Sequence, residues 1–294
     1  MELFISQLIN GLNTGSIYAL VAIGYTMVYG IIKLINFAHG EIMMFGAYFA
    51  FIFAFSLPFD LPFLVVIVIA MVFAALMGML IERIAYKKLR KAPRISALIT
   101  AIGMSLFLQN LALLLFGATP RVMQPLISTT PQNILGIEIS ALTLTTIGLS
   151  IFFMVVLTLF ISKTKPGKAM RAVSEDKEAA ILMGINSNSI ISLTFAIGSA
   201  LGALGGVFYA LAYSQIEPTL GVMPGLKAFI AAVFGGIGNI KGAMVGGLAI
   251  GIIETMVKAY WSTQWADALV FGLLIVILLV KPSGLFGKNE KVKV

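Results

Sequence analysis

The chain has 294 residues, 60% of them hydrophobic and 11% charged, with a formal net charge of +8, one histidine and no cysteine. A soluble domain carries about 25% charged residues, so a water-soluble fold is excluded, and disulfides and thiolate metal sites with it. The surplus of Lys and Arg suits the cytoplasmic loops of a membrane protein; no nucleic-acid partner is expected.

Runs of about 20 apolar residues predict a polytopic, all-α helical membrane protein. The ten-residue alternation of a membrane β-barrel is absent. Spans are expected at 5–32, 37–56, 62–81, 95–116, 141–161, 189–213, 223–239, 242–258 and 265–281, within a single domain covering 1–294. The seventh is short and Gly-rich (LKAFIAAVFGGIG), so a broken segment and eight crossings stay open beside nine. The opening MELFISQLINGLNTGS has no basic n-region or small-residue cleavage site, and no cleaved signal peptide is expected.

Basic residues orient the chain. With the 82–94 loop in the cytoplasm, that side holds Arg83, Lys87, Lys88, Arg90, Lys91 and Arg94. It also gains Lys33, Lys163, Lys165, Lys168, Arg171, Lys177, Lys241, Lys281, Lys288, Lys291 and Lys293. Only Arg121, Lys227 and Lys258 fall outside, 3 of 20 cations against 17. The N-terminus is therefore expected outside and the C-terminus in the cytoplasm. Gly117 to Ser140, rich in Thr, Pro and Ser, is the longest external segment.

Polar residues inside spans are candidates for helix contacts or a translocation path, because facing lipid would leave them unsatisfied. The first span holds Asn10, Asn13, Thr14, Ser16 and Tyr18, and the fourth holds Gln109 and Asn110. Glu41 and His39 lie in NFAHGE at the start of the second span, and Glu254 toward the outer end of the eighth. His39 is expected at the interface, capping a helix end. No buried carboxylate or histidine relay of a proton-driven transporter is expected, so the energy source lies elsewhere. Gly198, Gly202 and Gly206 repeat every four residues, as do Gly242–Gly246 and Gly247–Gly251, a spacing that lets backbones approach closely.

The 162–188 loop between the fifth and sixth spans, centred on KTKPGKAMRAVSEDKEAAILMGINSN, is a charged insertion with an apolar subset: Met170, Val173, Ala179, Ala180, Leu182 and Met183. Two short helices at a bend are expected. Pro166-Gly167 makes a turn, 168–173 the first helix, Ser174 the N-cap of the second, and Gly184 its stop. Asn186 or Asn188 caps the sixth span. Such a loop reads as a docking surface or as a solvated loop with one side on the membrane. GxxxxGK[ST], GxSxG and HExxH are all absent, so ATP, if it drives transport, binds another subunit.

At these residues the chain resembles the LivH-type permeases of branched-chain amino acid ABC importers. The resemblance rests on GSIYALVAIGYTMVYGIIKLINFAHGEIMMFGAY, IERIAYKKLR, LITAIGMSLFLQN, GKAMRAVSEDKEAAILMGIN, GLKAFIAAVFGGIGNIKGAMVGGLAIGIIE and KPSGLFG. It implies an inner-membrane permease with no catalytic residue, metal or cofactor of its own. The implied partners are a second permease (LivM type), two cytoplasmic ATPases (LivG and LivF type) that bind ATP and Mg, a periplasmic binding protein and membrane lipid. It implies that the central loop couples to the ATPases through Gly167, Arg171, Glu175, Asp176, Glu178, Ala179, Ala180 and Gly184. The EAA-x3-G order matches the start of the wider coupling motif, but Thr194 and Ala196 replace its later Ile and Leu. Related permeases carry urea or short amides. An ion-coupled secondary transporter is the alternative from the residues alone; it predicts inverted repeats and midplane ionisable sites, and neither is evident.

Overall fold

Each of the nine expected spans is a helix in the computed structural model, which describes residues 2–287 except Leu57, Phe59, Lys91, 128–129 and 135–136. Of the cations counted above, Lys91, Lys288, Lys291 and Lys293 lie outside the described residues. The helices are α1 (Glu2–Ile32), α2 (His39–Phe55), α3 (Phe63–Ile81), α4 (Arg94–Phe116) and α5 (Ala141–Lys163), then the short α6 (Lys165–Glu175) and α7 (Lys177–Leu182). The set closes with α8 (Ser187–Tyr213), α9 (Val222–Gly235), α10 (Ile240–Tyr260) and α11 (Thr263–Val280).

Seven of them are long and apolar enough to cross a membrane; α2 and α9 are shorter. At about 1.5 Å per residue, the 17 residues of α2 and 14 of α9 reach roughly 25 and 21 Å, short of a ~30 Å hydrocarbon core. The sequence singled out only the second of these as short. The all-α expectation also needs a small amendment. The segment from Gly117 to Ser140 carries a hairpin of β2 (Pro131–Ile134) and β3 (Ile137–Ser140), with Gln132 opposite Ile139. Its β1 (Arg121–Val122) pairs antiparallel with β4 (Gln215–Ile216) beyond α8. These strands tie the α4–α5 connection to the end of α8, and Met123 is buried beneath them.

Helices α1 and α8 form the centre. Their interiors are buried for most of their length, whereas α4, α5 and α11 present largely exposed apolar surface. Lipid offers no hydrophobic drive for helix association, so small residues that let backbones touch set the packing. On α1, Gly11, Gly15 and Ala19 meet α10 at Ile252, Gly251 and Gly247; a Cβ on Gly251 would overlap the Gly15 backbone. On α8, Gly198 faces the Gly24 backbone, Gly202 faces His39, and Gly206 lies against the Met43 carbonyl of α2. The four-residue glycine repeat thus lies at contacts inside the chain.

Candidate functional site

Two adjoining cavities run beside α4 and α9. One, of about 270 Å³, is lined by Tyr25, Glu41, Ser105, Gln109, Gly221 and Gly225. The other, of about 530 Å³, is lined by Gln109, Tyr209, Tyr213, Gln215, Glu217 and Thr219. Gln109 and Val222 border both. Glu41 is buried at the start of α2; its Oε1 accepts from the Ser105 hydroxyl at 3.1 Å and its Oε2 has no partner. Gly40 and Gly221 let the start of α2 and the loop before α9 touch backbone to backbone, since a Cβ on either would overlap the other. The combined surface offers aromatic and aliphatic walls, the carboxylates of Glu41 and Glu217, and amide and hydroxyl groups.

The other polar candidates separate. Asn10 is exposed and borders a third cavity, about 260 Å³, with Glu138, Ser140 and Thr143. Asn13 Oδ1 and the Ser16 hydroxyl are buried on α1 without partners. Asn110 is exposed and donates back to the Leu106 carbonyl at 2.8 Å, an ordinary bond within one helix. The neighbours Gln109 and Asn110 therefore have different surroundings.

His39 corrects the sequence reading. It is the first residue of α2 but makes no cap bond. It is 1% exposed, packed between Gly24 and Gly202 with the Tyr25 ring edge-on at 4.7 Å, and its Nε2 has no partner. Three carboxylates, Glu41, Glu82 and Glu254, are buried. Two of the three are ion-paired. Glu82 meets Arg90, and Glu254 takes Lys227 at 2.7 Å, Lys258 at 2.5 Å and the Tyr18 hydroxyl at 2.8 Å. Lys227 bridges on to Asp267 at 2.7 Å. A buried charge requires a partner, so a Lys and a Glu in adjacent apolar segments were the available signal for this network.

The central loop forms the expected pair of helices with shifted boundaries. Thr164 caps α6 by accepting from Gly167 N–H, and Pro166 sits inside its first turn, where a missing N–H costs nothing. Helix α6 therefore starts before Lys168, and Pro166-Gly167 is helix, not turn. Gly167 packs on the Phe160 carbonyl and Ile161 backbone, where a Cβ would overlap both. Asp176, not Ser174, caps α7, with Oδ1 accepting from Glu178 and Ala179 N–H at 2.9 Å each. The Ser174 hydroxyl instead donates to the Arg171 carbonyl. Gly184 has φ +82°, and Gly184 N–H to Ile181 and Ile185 N–H to Ala180 form a Schellman stop. Asn186 caps α8.

The apolar subset divides. Met170, Val173 and Ala180 are buried within the chain, beside the buried Gly167, whereas Leu182 is 87% and Met183 83% exposed at the tip of α7. Arg171, Glu175, Glu178 and Ala179 are exposed as well, and Arg171 reaches the Ser162 carbonyl at 3.5 Å. The result is an elbow rooted on α5 and α1, with an exposed apolar tip and exposed charged residues along the same two short helices. Among the described residues, no group of three or more His, Asp or Glu is placed to hold a metal ion.

The family model described as branched-chain amino acid transport system / permease component matches residues 7–279. The chain belongs to this family. It is 44% identical over 304 residues to the high-affinity branched-chain amino acid transport system permease protein BraD of Pseudomonas aeruginosa, covering 99% of this chain and 98% of that protein. It is 46% identical over 303 residues to the corresponding LivH of Escherichia coli K12, with the same coverage. The solved PsaBC complex of Streptococcus pneumoniae with Fab aligns at TM-score 0.46 and 16% identity over 96% of this chain and 91% of that one, too distant a likeness to carry an argument. In this permease family member, sequence reading missed Ser105, Tyr209, Tyr213 and Glu217 as cavity lining. No local pattern marks them, because the cavities exist only where α4, α8 and α9 converge.

Proposed function

We propose that the chain is the permease subunit of an ATP-driven importer of branched-chain amino acids in a bacterial inner membrane. It forms the translocation path with a second permease of LivM type. A periplasmic binding protein delivers substrate, and two ATPases of LivG and LivF type bind ATP and Mg and hydrolyse the nucleotide. Full-length similarity to BraD and LivH supports the substrate class. All nine apolar helices cross or enter the membrane, with the N-terminus outside and the C-terminus in the cytoplasm, in keeping with the distribution of Lys and Arg.

The observation that carries the mechanism is the α6–α7 elbow. Leu182 and Met183 stand exposed on a base that Gly167, Met170 and Val173 fix to the bundle. An apolar tip inserted into a groove on an ATPase would transmit closure of the nucleotide sites to α5 and α8, shifting the inward–outward equilibrium. Substrate would move past Glu41, Gln109 and the Tyr209–Tyr213 wall. The test is reconstitution with the partner subunits: L182S/M183S should insert and assemble normally, yet lose substrate-stimulated ATPase activity and uptake. Uptake at the unmodified rate would refute the role of the tip.

A further inference from the structure

A cavity of about 620 Å³ opens between the end of α3 and the start of α8, away from the two cavities above. Helix α3 does not end at Ile81. It continues as a π-helical turn (Glu82–Tyr86) and a 3₁₀ turn (Lys87–Leu89), and the wide π turn swings successive side chains to different sides. Glu82 points inward, taking the Ser192 hydroxyl at 2.6 Å on one oxygen and Arg90 on the other. Arg90 also donates to Asn188 Oδ1 at 2.5 Å, which ties this turn to α8. Arg83 and Lys87, four residues apart, are exposed at the cavity.

Three cations therefore border the cavity against one carboxylate, and that carboxylate is already taken by Arg90 and Ser192. Arg83 and Lys87 have no ion-pair partner among the described residues. The Arg90 side chain is 8% exposed, and its Nε–H is buried with no acceptor. A buried guanidinium N–H without an acceptor, beside two unpaired cations, calls for an anion with several oxygens. The rest of the wall is aliphatic: Leu76, Met79, Leu80 and Leu193. Leu76 and Leu80 are more than half exposed, forming an apolar ridge that leads away from the cations along α3.

We propose that this cavity binds an anionic phospholipid, its phosphate held by Arg83, Lys87 and Arg90 and its acyl chains lying along Leu76 and Leu80. The ridge selects lipid over free phosphate, because a soluble anion would leave the aliphatic wall unused. Basic pockets between transmembrane helices at the membrane surface suit anionic headgroups on the same physical grounds.

Native mass spectrometry of the full-length chain, titrated with phosphatidylglycerol, phosphatidylcholine or inorganic phosphate, tests this. Phosphatidylglycerol should be retained in preference to phosphatidylcholine and should resist displacement by phosphate. R83Q/K87Q should bind it roughly thirtyfold more weakly, from the loss of two headgroup cations, whereas the control K163Q/K241Q should bind as the unmodified chain does. S189E is a second variant. Glu at this third position of α8 suits a helix N-terminus, so folding is preserved while a negative charge enters the cavity, and phosphatidylglycerol should be lost. Unchanged retention in both variants, or equal retention of phosphatidylcholine, would overturn the site. Displacement by phosphate alone would show an anion site without lipid selectivity. Weakened partner assembly with unaltered lipid binding would assign the cavity to an acidic protein segment instead.

Discussion

Lys227 of α9 and Glu254 of α10 form a buried ion pair at 2.7 Å, and Tyr18 of α1 closes it from the other side. The pair joins the short α9 to α10, and Tyr18 ties it to α1, the longest helix of the bundle. It also accounts for two of the three cations that fall on the outer side in the charge count. Lys227 and Lys258 both meet Glu254, so neither is the free loop cation that orients a membrane protein. The third, Arg121, lies over the Phe51 and Phe116 rings at 5.7 and 6.0 Å.

Removing one charge of this network should damage the protein more than removing the pair. E254Q strands a buried Lys227 with only Asp267 and leaves the Tyr18 hydroxyl a weaker acceptor. A cost of about 3–5 kcal/mol is expected for a broken buried pair. The double variant K227M/E254M should recover most of it. Thermal unfolding in detergent, compared across K227M, E254M and K227M/E254M in a double-mutant cycle, reads the difference.

The α1–α10 contact depends on the absence of side chains. G251A places a methyl group into the Gly15 backbone and should destabilise by roughly 1–3 kcal/mol, as overpacking does. G272A and G103A have nothing within 4 Å of the added carbon. They should be neutral or gain up to about 1 kcal/mol from helix propensity. Equal melting temperatures for all three would contradict the packing described.

Two glycines in the elbow serve different purposes and should fail differently. G184A strains a left-handed residue by roughly 1–2 kcal/mol and frays the end of α7, leaving α6 in place. G167A pushes α6 off Phe160 and Ile161. Uptake should fall in both, and hydrogen exchange should report opening of 176–184 alone in G184A but of the whole 164–184 segment in G167A.

Gln109 stands where the two cavities meet. Q109W fills that junction and should cut uptake at least about tenfold, a loss of roughly 1.4 kcal/mol in transition-state stabilisation, with expression and partner assembly unchanged. Q109A leaves the junction open and should retain transport. N110W, one residue on and exposed, is the matched control; transport equal to Q109W would remove Gln109 from the path.

The positions of the helices were legible in the residues because a chain in lipid must satisfy its backbone locally. Apolar runs of sufficient length leave no alternative, and α4, α5 and α11 begin and end within a few residues of expectation. Local chemistry was legible on the same principle. Gly184 stops α7, and a short polar residue caps α8, because caps involve atoms only a few residues apart. The misreadings at Ser174 and Pro166 are also local. Asp176 outcompeted Ser174 as a cap by accepting two N–H groups, and Thr164 started α6 ahead of the proline.

The hydrogen bond from Tyr18 to Glu254 belongs to the other category. The two residues are 236 positions apart, and nothing near Tyr18 names Glu254 as its acceptor. His39, expected at a helix end in the interface, is buried because Gly24 and Gly202 make room for its ring. The residues alone determined that the chain crosses the membrane many times, where its helices lie and that it carries an amphipathic loop. Those features follow from hydrophobicity and short-range hydrogen bonding. Tertiary structure decided which carboxylates are matched, which glycines touch backbone, which apolar residues of the loop stay exposed and where cavities form. Each of those depends on contacts between segments that only folding brings together.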